Sequence, residues 1–127
     1  MHRSLFAAFL ALSTAAVAAP SFAEPVVGID TQLGQVIAAA DGNMTLYTFT
    51  QDAPNQSNCY DNCASAWPPF LAADTAQPEG ALGIVTRRDG ARQWALNGQP
   101  LYFWQGDAAP GDVTGHGVGG VWFVAQN

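Results

Sequence analysis

The sequence has no lysine, and its four arginines stand against ten aspartates and glutamates. The formal net charge is −6 at pH 7, and it becomes −7 once a predicted leader that carries one arginine is removed. Binding to nucleic acids or to anionic membrane surfaces depends on basic patches. The composition therefore predicts neither of them as a partner.

The signatures of several common enzyme families are also missing. The sequence contains no G-x-S-x-G, P-loop, H-E-x-x-H or dinucleotide-binding motif. His116 is the single histidine after the leader, so acid–base chemistry would fall on aspartates. We therefore predict a non-catalytic protein with no cofactor, and keep a small hydrolase that uses aspartate carboxylates as an alternative.

Cysteine occurs twice, at Cys59 and Cys63. In an exported chain this close spacing favours a structural disulfide, because the compartment is oxidising and the two residues are near enough to be joined. The alternative is a thiol-based copper or redox protein. Two thiolates could hold Cu(I), with Met44 or His116 completing the ligand shell.

The first 23 residues have the features of a signal peptide. An apolar run at 5–18 is too short to span a membrane, and Ser21-Phe22-Ala23 has the form of a cleavage signal. We predict a mature chain of residues 24–127, with a cut after Ala18 as the lesser alternative. No transmembrane segment and no lipid-anchor cysteine are predicted, so the protein is expected to be periplasmic or secreted.

The mature chain repeats itself at an offset of 55 residues. The segment from Tyr47 to Asp52 returns as Tyr102 to Asp107, and Trp67 corresponds to Trp122. Such self-similarity indicates one structural unit used twice, with each copy covering the apolar face of the other. We predict a single domain built of two pseudo-symmetric repeats, residues 24–77 and 78–127.

Each repeat is predicted to form a β-hairpin. Asp41-Gly42 and Asn97-Gly98 are turn dipeptides, Asp89-Gly90 marks a further hairpin, and residues 120–124 are predicted to form a closing strand. In the first repeat, residues 35–40 enter the hairpin and residues 45–50 return. The fold class is therefore mostly β, as a small antiparallel sandwich or partly closed barrel.

The segment around the two cysteines breaks this pattern. Ser57 can cap a short helix, and Pro68 would end it by forcing Trp67 into extended geometry. The corresponding stretch of the second repeat is rich in glycine instead. The two repeats share their predicted strands but differ in this loop, and a functional site is expected in such a loop.

The repeated tyrosines, aspartates and tryptophans are the candidates for binding. An aspartate after a strand end can accept bonds from the following N–H groups or from a tyrosine hydroxyl, or it can face a ligand. The tryptophans can form the core, or stack on sugars or an apolar partner. The candidate binding residues are Tyr47, Asp52, Tyr102, Asp107, Trp67 and Trp122.

The doubled Tyr-x-(Phe/Trp/Tyr)-x-x-Asp motif resembles a family of bacterial exported repeat proteins of unknown function, often described as predicted lipoproteins. The Cys59-to-Pro69 stretch and Gly117-to-Trp122 add to the resemblance, which covers nearly the whole mature chain. It implies an exported, duplicated unit and carries over no reaction. With the composition, it favours a non-catalytic binding or interaction protein of the cell envelope, acting on an unknown partner or small ligand.

Overall fold

A computed structural model describes residues 24–127. Within that range lie seven strands, one helix and one 3₁₀ turn. The strands are β1 (Val26–Thr31), β2 (Gly34–Ala39), β3 (Tyr47–Phe49), β4 (Leu82–Thr86), β5 (Arg92–Leu96), β6 (Gln99–Pro100) and β7 (Trp122–Val124). The helix α1 covers Asn62–Ala66, and the 3₁₀ turn covers Val118–Gly120.

The strands form three small antiparallel sheets, which confirms the mostly β prediction. Their orders are β1-β2, β3-β7 and β4-β5-β6. The sheets do not close into a barrel. Strands of two to six residues are too short to wrap around a closed surface, and irregular loops join them instead.

The predicted turn residues form the two hairpins of the second repeat. β4 pairs with β5 across Asp89-Gly90, and β5 pairs with β6 across Asn97-Gly98. Gly90, Asn97 and Gly98 have φ angles of 87°, 51° and 83°. Glycine and asparagine adopt positive φ more readily than other residues, so the sequence determines these turns locally.

The first repeat contains a strand that the sequence analysis missed. β1 pairs with β2 through a turn at Gln32-Leu33. The Thr31 hydroxyl donates to the Gly34 carbonyl at 2.8 Å and accepts from the Leu33 N–H at 3.0 Å. A threonine side chain thus stabilises the turn in place of an Asn-Gly or Asp-Gly pair, which is why no turn dipeptide marked it.

The predicted hairpin of residues 35–50 is only partly formed. β2 contacts the returning chain through a bridge between Ala38 and Thr45. The chain then leaves β2, and β3 pairs along its length with β7 of the second repeat. The closing strand is also shorter than predicted, because Gly120 belongs to the 3₁₀ turn.

The helix prediction is right in kind and wrong in its start. α1 begins after Asp61, and no side chain caps its first turn. Ser57 is not its N-cap, because its hydroxyl is buried in a network described below. The helix ends before Trp67, whose φ of −122° is extended, as Pro68 requires.

The core has two layers, one on each face of the central strands. Leu46 and Leu101 belong to one cluster, and Tyr47 and Tyr102 belong to the other. Adjacent residues of a strand point to opposite faces, so each Leu-Tyr pair anchors both layers. All four side chains are fully buried.

The equivalent tyrosines of the two repeats lie opposite each other at the centre. The Tyr47 N–H donates to the Tyr102 carbonyl at 2.8 Å, and the Tyr102 N–H donates to the Tyr47 carbonyl at 3.0 Å. This reciprocal pair relates the two halves by a local pseudo-twofold axis. The repeats are therefore joined through their most buried residues.

The predicted signal peptide, residues 1–23, lies outside the described residues. Within residues 24–127, no helix has the length and apolar character that a membrane crossing would need.

Candidate functional site

The tyrosine of each repeat is hydrogen-bonded to the aspartate of the other. The Tyr47 hydroxyl donates to Asp107 Oδ2 at 2.7 Å, and the Tyr102 hydroxyl donates to Asp52 Oδ2 at 2.8 Å. The sequence predicted that each aspartate could bond the following N–H groups or a tyrosine hydroxyl, without saying which tyrosine. The structure places the two partners in different repeats, so these two bonds, the reciprocal Tyr–Asp pairs, join the halves.

The second oxygen of each carboxylate shapes the loop that follows its strand. Asp52 Oδ1 accepts the Asn58 N–H at 2.7 Å. Asp107 Oδ1 accepts the Thr114 N–H at 3.0 Å and the Thr114 hydroxyl at 2.7 Å. Each aspartate thus fixes the exit of one repeat while it binds the tyrosine of the other.

Burial keeps the two tyrosines protonated as donors. It raises the pKa of the Tyr47 hydroxyl far above its usual value, and the bond to Asp107 raises it further. Burial likewise raises the pKa of Tyr102. Burial also raises the pKa of the Asp52 carboxyl, although the bonds from Asn58 and Tyr102 oppose that shift.

A buried arginine adjoins the pair at Asp52. Arg87 is only 5% exposed, and its guanidinium donates to Ser57 Oγ at 2.9 Å, Gln93 Oε1 at 2.7 Å and the Cys59 carbonyl at 2.6 Å. The oxygens of Ser57 and Tyr102 are 2.6 Å apart, so two hydroxyls connect Arg87 to Asp52. The sequence analysis counted Arg87 only as a charge, because nothing local marks it as buried.

Four aromatic rings, two from each repeat, form a stacked column between the halves. Their order is Phe49, Trp122, Trp67 and Trp104, with ring centroids 4.2, 3.9 and 4.1 Å apart. The two central tryptophans are parallel to within 1°. Both are 4% exposed, so these two candidate binding residues lie inside the column.

The two ends of the column are equivalent in sequence but not in structure. Phe49 and Trp104 are related by the same offset of 55 residues, and both are half-buried. A Cβ added to Gly106 would lie 2.4 Å from Trp104 Nε1, and one added to Gly115 would lie 2.9 Å from Trp104 Cγ. Backbone therefore presses closely against the Trp104 end, where only glycine fits.

The Phe49 end opens instead on a cleft of about 190 Å³ between the repeats. One wall is the loop that follows β3, and the other is the β5–β6 turn of the second repeat. The Asn55 N–H donates to the Gly98 carbonyl at 2.8 Å and holds the two walls together. The cleft is lined by Phe49, Thr50, Asp52, Ala53, Pro54, Asn97, Gly98, Gln99 and Pro100.

Of the six candidate binding residues, Asp52 lines this cleft. Tyr47, Tyr102, Trp67 and Trp122 lie in the core, and Asp107 lies at the other reciprocal pair. The sequence analysis missed Phe49, Asn97 and Gln99 as cleft residues. The turn dipeptide at Asn97 and the aromatic position of Phe49 were visible, but their meeting depends on how the repeats pack.

The two cysteines form a disulfide, with Cα atoms 5.2 Å apart. Met44 contributes its carbonyl to the β2–β3 turn, and His116 Nδ1 accepts the Val124 N–H at 3.1 Å. Among residues 24–127, no three histidine, cysteine, aspartate or glutamate side chains converge as a metal site would require. The alternative of copper held by Cys59, Cys63, Met44 and His116 stays a prediction, and thiol titration with metal analysis tests it.

Removing the disulfide is expected to lower the free energy of unfolding by about 2 kcal/mol, because the closed loop is short. The double substitution Cys59→Ala with Cys63→Ala avoids placing a hydroxyl at the buried Cys59 position. Urea unfolding of this variant and of the reduced wild type measures the effect. Midpoints at the wild-type value for both proteins would contradict a stabilising disulfide.

The comparisons with known proteins agree with the duplicated architecture. No curated protein and no solved structure matches the chain. One protein family matches, at residues 28–70 and again at residues 83–126, which are the two repeats. The chain therefore belongs to the Lipoprotein_15 family, which is described as a secreted repeat of unknown function.

Proposed function

We propose that this protein is an exported, non-catalytic binding protein of the cell envelope or its surroundings, whose ligand occupies the cleft beside Phe49 and Asp52. The observation that carries the proposal is the difference between the two ends of the aromatic column. Repetition makes these ends equivalent in sequence, yet glycine backbone lies close against one and the other opens on a cleft. Concave sites between structural units are common places for ligands.

The composition of the cleft supports binding. It combines an aromatic ring and two prolines with the polar side chains of Asp52, Asn97 and Gln99. Apolar surface with a few placed polar groups is the usual make-up of a small-molecule site. The Tyr102–Asp52 bond, the buried Arg87 network and the Asn55–Gly98 bond support its walls, so the site is formed before the ligand arrives.

The arrangement of the carboxylates supports a non-catalytic role. Asp52 binds Tyr102 and Asp107 binds Tyr47. Each aspartate also binds the loop that follows its own strand. Both oxygens of each carboxylate thus already accept hydrogen bonds within the protein, which favours a positioning role over acid–base catalysis.

An exported location is consistent with three observations. The predicted leader, the Cys59–Cys63 disulfide and the description of the family as secreted all favour an oxidising compartment outside the cytoplasm. A place in the cell envelope rather than the medium is part of our proposal.

An NMR screen of the ¹⁵N-labelled mature chain tests this function. Mixtures of sugars, amino acids, nucleosides and phenols are added, and compounds that bind are expected to shift amide signals of residues 49–53 and 97–99. Gln99→Trp is expected to fill the cleft and abolish these shifts. Gln99 is exposed, so the substitution should change stability by less than about 0.5 kcal/mol.

The matched control is Gln32→Trp, in the exposed turn between β1 and β2, which should leave binding unchanged. Shifts that persist in Gln99→Trp, or that map away from the cleft, would contradict the proposed site.

A further inference from the structure

We propose that the cleft binds one neutral sugar ring, which stacks on Phe49 and donates hydroxyl protons to Asp52. This rests on the proposed function and names the ligand class of the same cleft.

Phe49 is the last ring of the column on this side. Trp122 stacks on it at 4.2 Å with an interplanar angle of 10°, and Phe49 also lines the cleft. A ligand ring placed against Phe49 would extend the column by one member. The apolar C–H face of a pyranose suits such a ring, because aromatic faces carry partial negative charge and C–H groups partial positive charge.

The polar groups around Phe49 match the hydroxyl edge of a sugar. Each Asp52 oxygen accepts one bond, from Asn58 or Tyr102, and a carboxylate oxygen has two lone pairs. Asp52 therefore keeps acceptor capacity for ligand hydroxyls. The side-chain amides of Asn97 and Gln99 supply both donors and acceptors.

The charge of the protein selects against anionic ligands. The mature chain is predicted to carry a formal charge of −7, and the charged side chain that lines the cleft is Asp52. Arg87 is buried and turned inward, where its guanidinium donates to Ser57, Gln93 and Cys59, and it does not line the cleft. A neutral sugar avoids the repulsion that a uronic acid or a sugar phosphate would meet.

The cleft volume of about 190 Å³ is below the range of drug-sized pockets, so it fits one ring rather than an extended chain. At the Trp104 end, the Gly106 and Gly115 backbone lies in close contact with the ring instead. We therefore expect one sugar site per chain, although the motif occurs twice.

Titration of the ¹⁵N-labelled mature chain with four probes tests this inference. The probes are methyl β-D-glucopyranoside and N-acetylglucosamine as neutral sugars, glucuronate as an anionic sugar, and indole as a flat aromatic ring. The neutral sugars are expected to shift the signals of Phe49, Asp52, Asn97 and Gln99. Glucuronate and indole are expected to leave them in place.

Matched variants at the two ends of the column separate stacking from folding. Phe49→Leu is expected to weaken binding of the neutral sugars by about tenfold, and Phe49→Trp should restore it. Trp104→Leu, at the equivalent position of the second repeat, should keep the affinity within about twofold. Amide spectra of each variant show whether the fold is intact, and Gln99→Trp provides a second way to block the cleft.

Each remaining outcome has a separate meaning. If indole shifts the cleft signals and the sugars do not, the proposed function stands and the sugar inference is wrong. Full affinity in Phe49→Leu would overturn the stacking. If none of these probes and no compound of the wider screen shifts the cleft signals, both proposals fail.

Discussion

Replacing Trp122 with alanine is expected to lower the free energy of unfolding by about 3–5 kcal/mol, the range for truncating a buried tryptophan. Trp122 stacks on Phe49 and Trp67, and the edge of Tyr102 meets its ring at 5.1 Å. Its removal opens a cavity between the repeats and breaks the column at its second ring. Chemical denaturation followed by circular dichroism measures the change.

The neighbouring Phe123 provides the control for Trp122. It is half-buried and points to the opposite face of β7, where it packs on His116. Phe123→Ala should therefore destabilise the protein much less. If Trp122→Ala unfolds the chain altogether, Trp122→Phe keeps a stacked ring and gives a measurable intermediate loss. A cost below about 1 kcal/mol for Trp122→Ala would contradict the importance of the column.

Replacing Arg87 with methionine is expected to cost about 3 kcal/mol. The substitution keeps an unbranched apolar side chain but leaves Gln93 Oε1 and the Cys59 carbonyl without the donor that now satisfies them. Each buried acceptor that loses its partner costs about 1–3 kcal/mol. Denaturant unfolding of the variant measures the loss.

Arg88 is the matched control, because it is the next residue and its guanidinium is exposed. It lies over the Tyr60 ring at 4.5 Å, an exposed cation–π contact worth about 0.5–1 kcal/mol. Arg88→Met should therefore cost less than about 1 kcal/mol. Equal losses of stability for the two variants would contradict the idea that the buried hydrogen bonds of Arg87 stabilise the protein.

The sequence predicted the repeats from self-similarity along the chain and the β class from turn signals that are local. Asp89-Gly90 and Asn97-Gly98 carry their turn geometry in two residues each. The offset of 55 residues marks equivalent positions, but it does not say which copy supplies a partner. The Tyr47–Asp107 bond crosses between the repeats, and the pattern alone did not specify that pairing.

The errors arise where tertiary contacts override local preference. Ser57 has the chemistry of a helix cap, yet its hydroxyl is buried and hydrogen-bonded to Arg87 and Tyr102 instead. No short-range pattern indicates that an arginine thirty positions away needs an acceptor there. The cleft was missed for the same reason, since Phe49 and Gln99 come from different repeats and meet only when these pack together.

The crossing of the reciprocal Tyr–Asp pairs has a consequence for the history of the chain. A protein with only one repeat would hold a tyrosine and an aspartate whose partners lie on another molecule. It could satisfy both only as a symmetric homodimer, in which one patch binds its own copy. After fusion of two such genes, the two halves could accumulate different substitutions, because they would no longer be encoded by one sequence. Phe49 and Trp104, which occupy equivalent positions with different side chains, are one place where the halves have diverged.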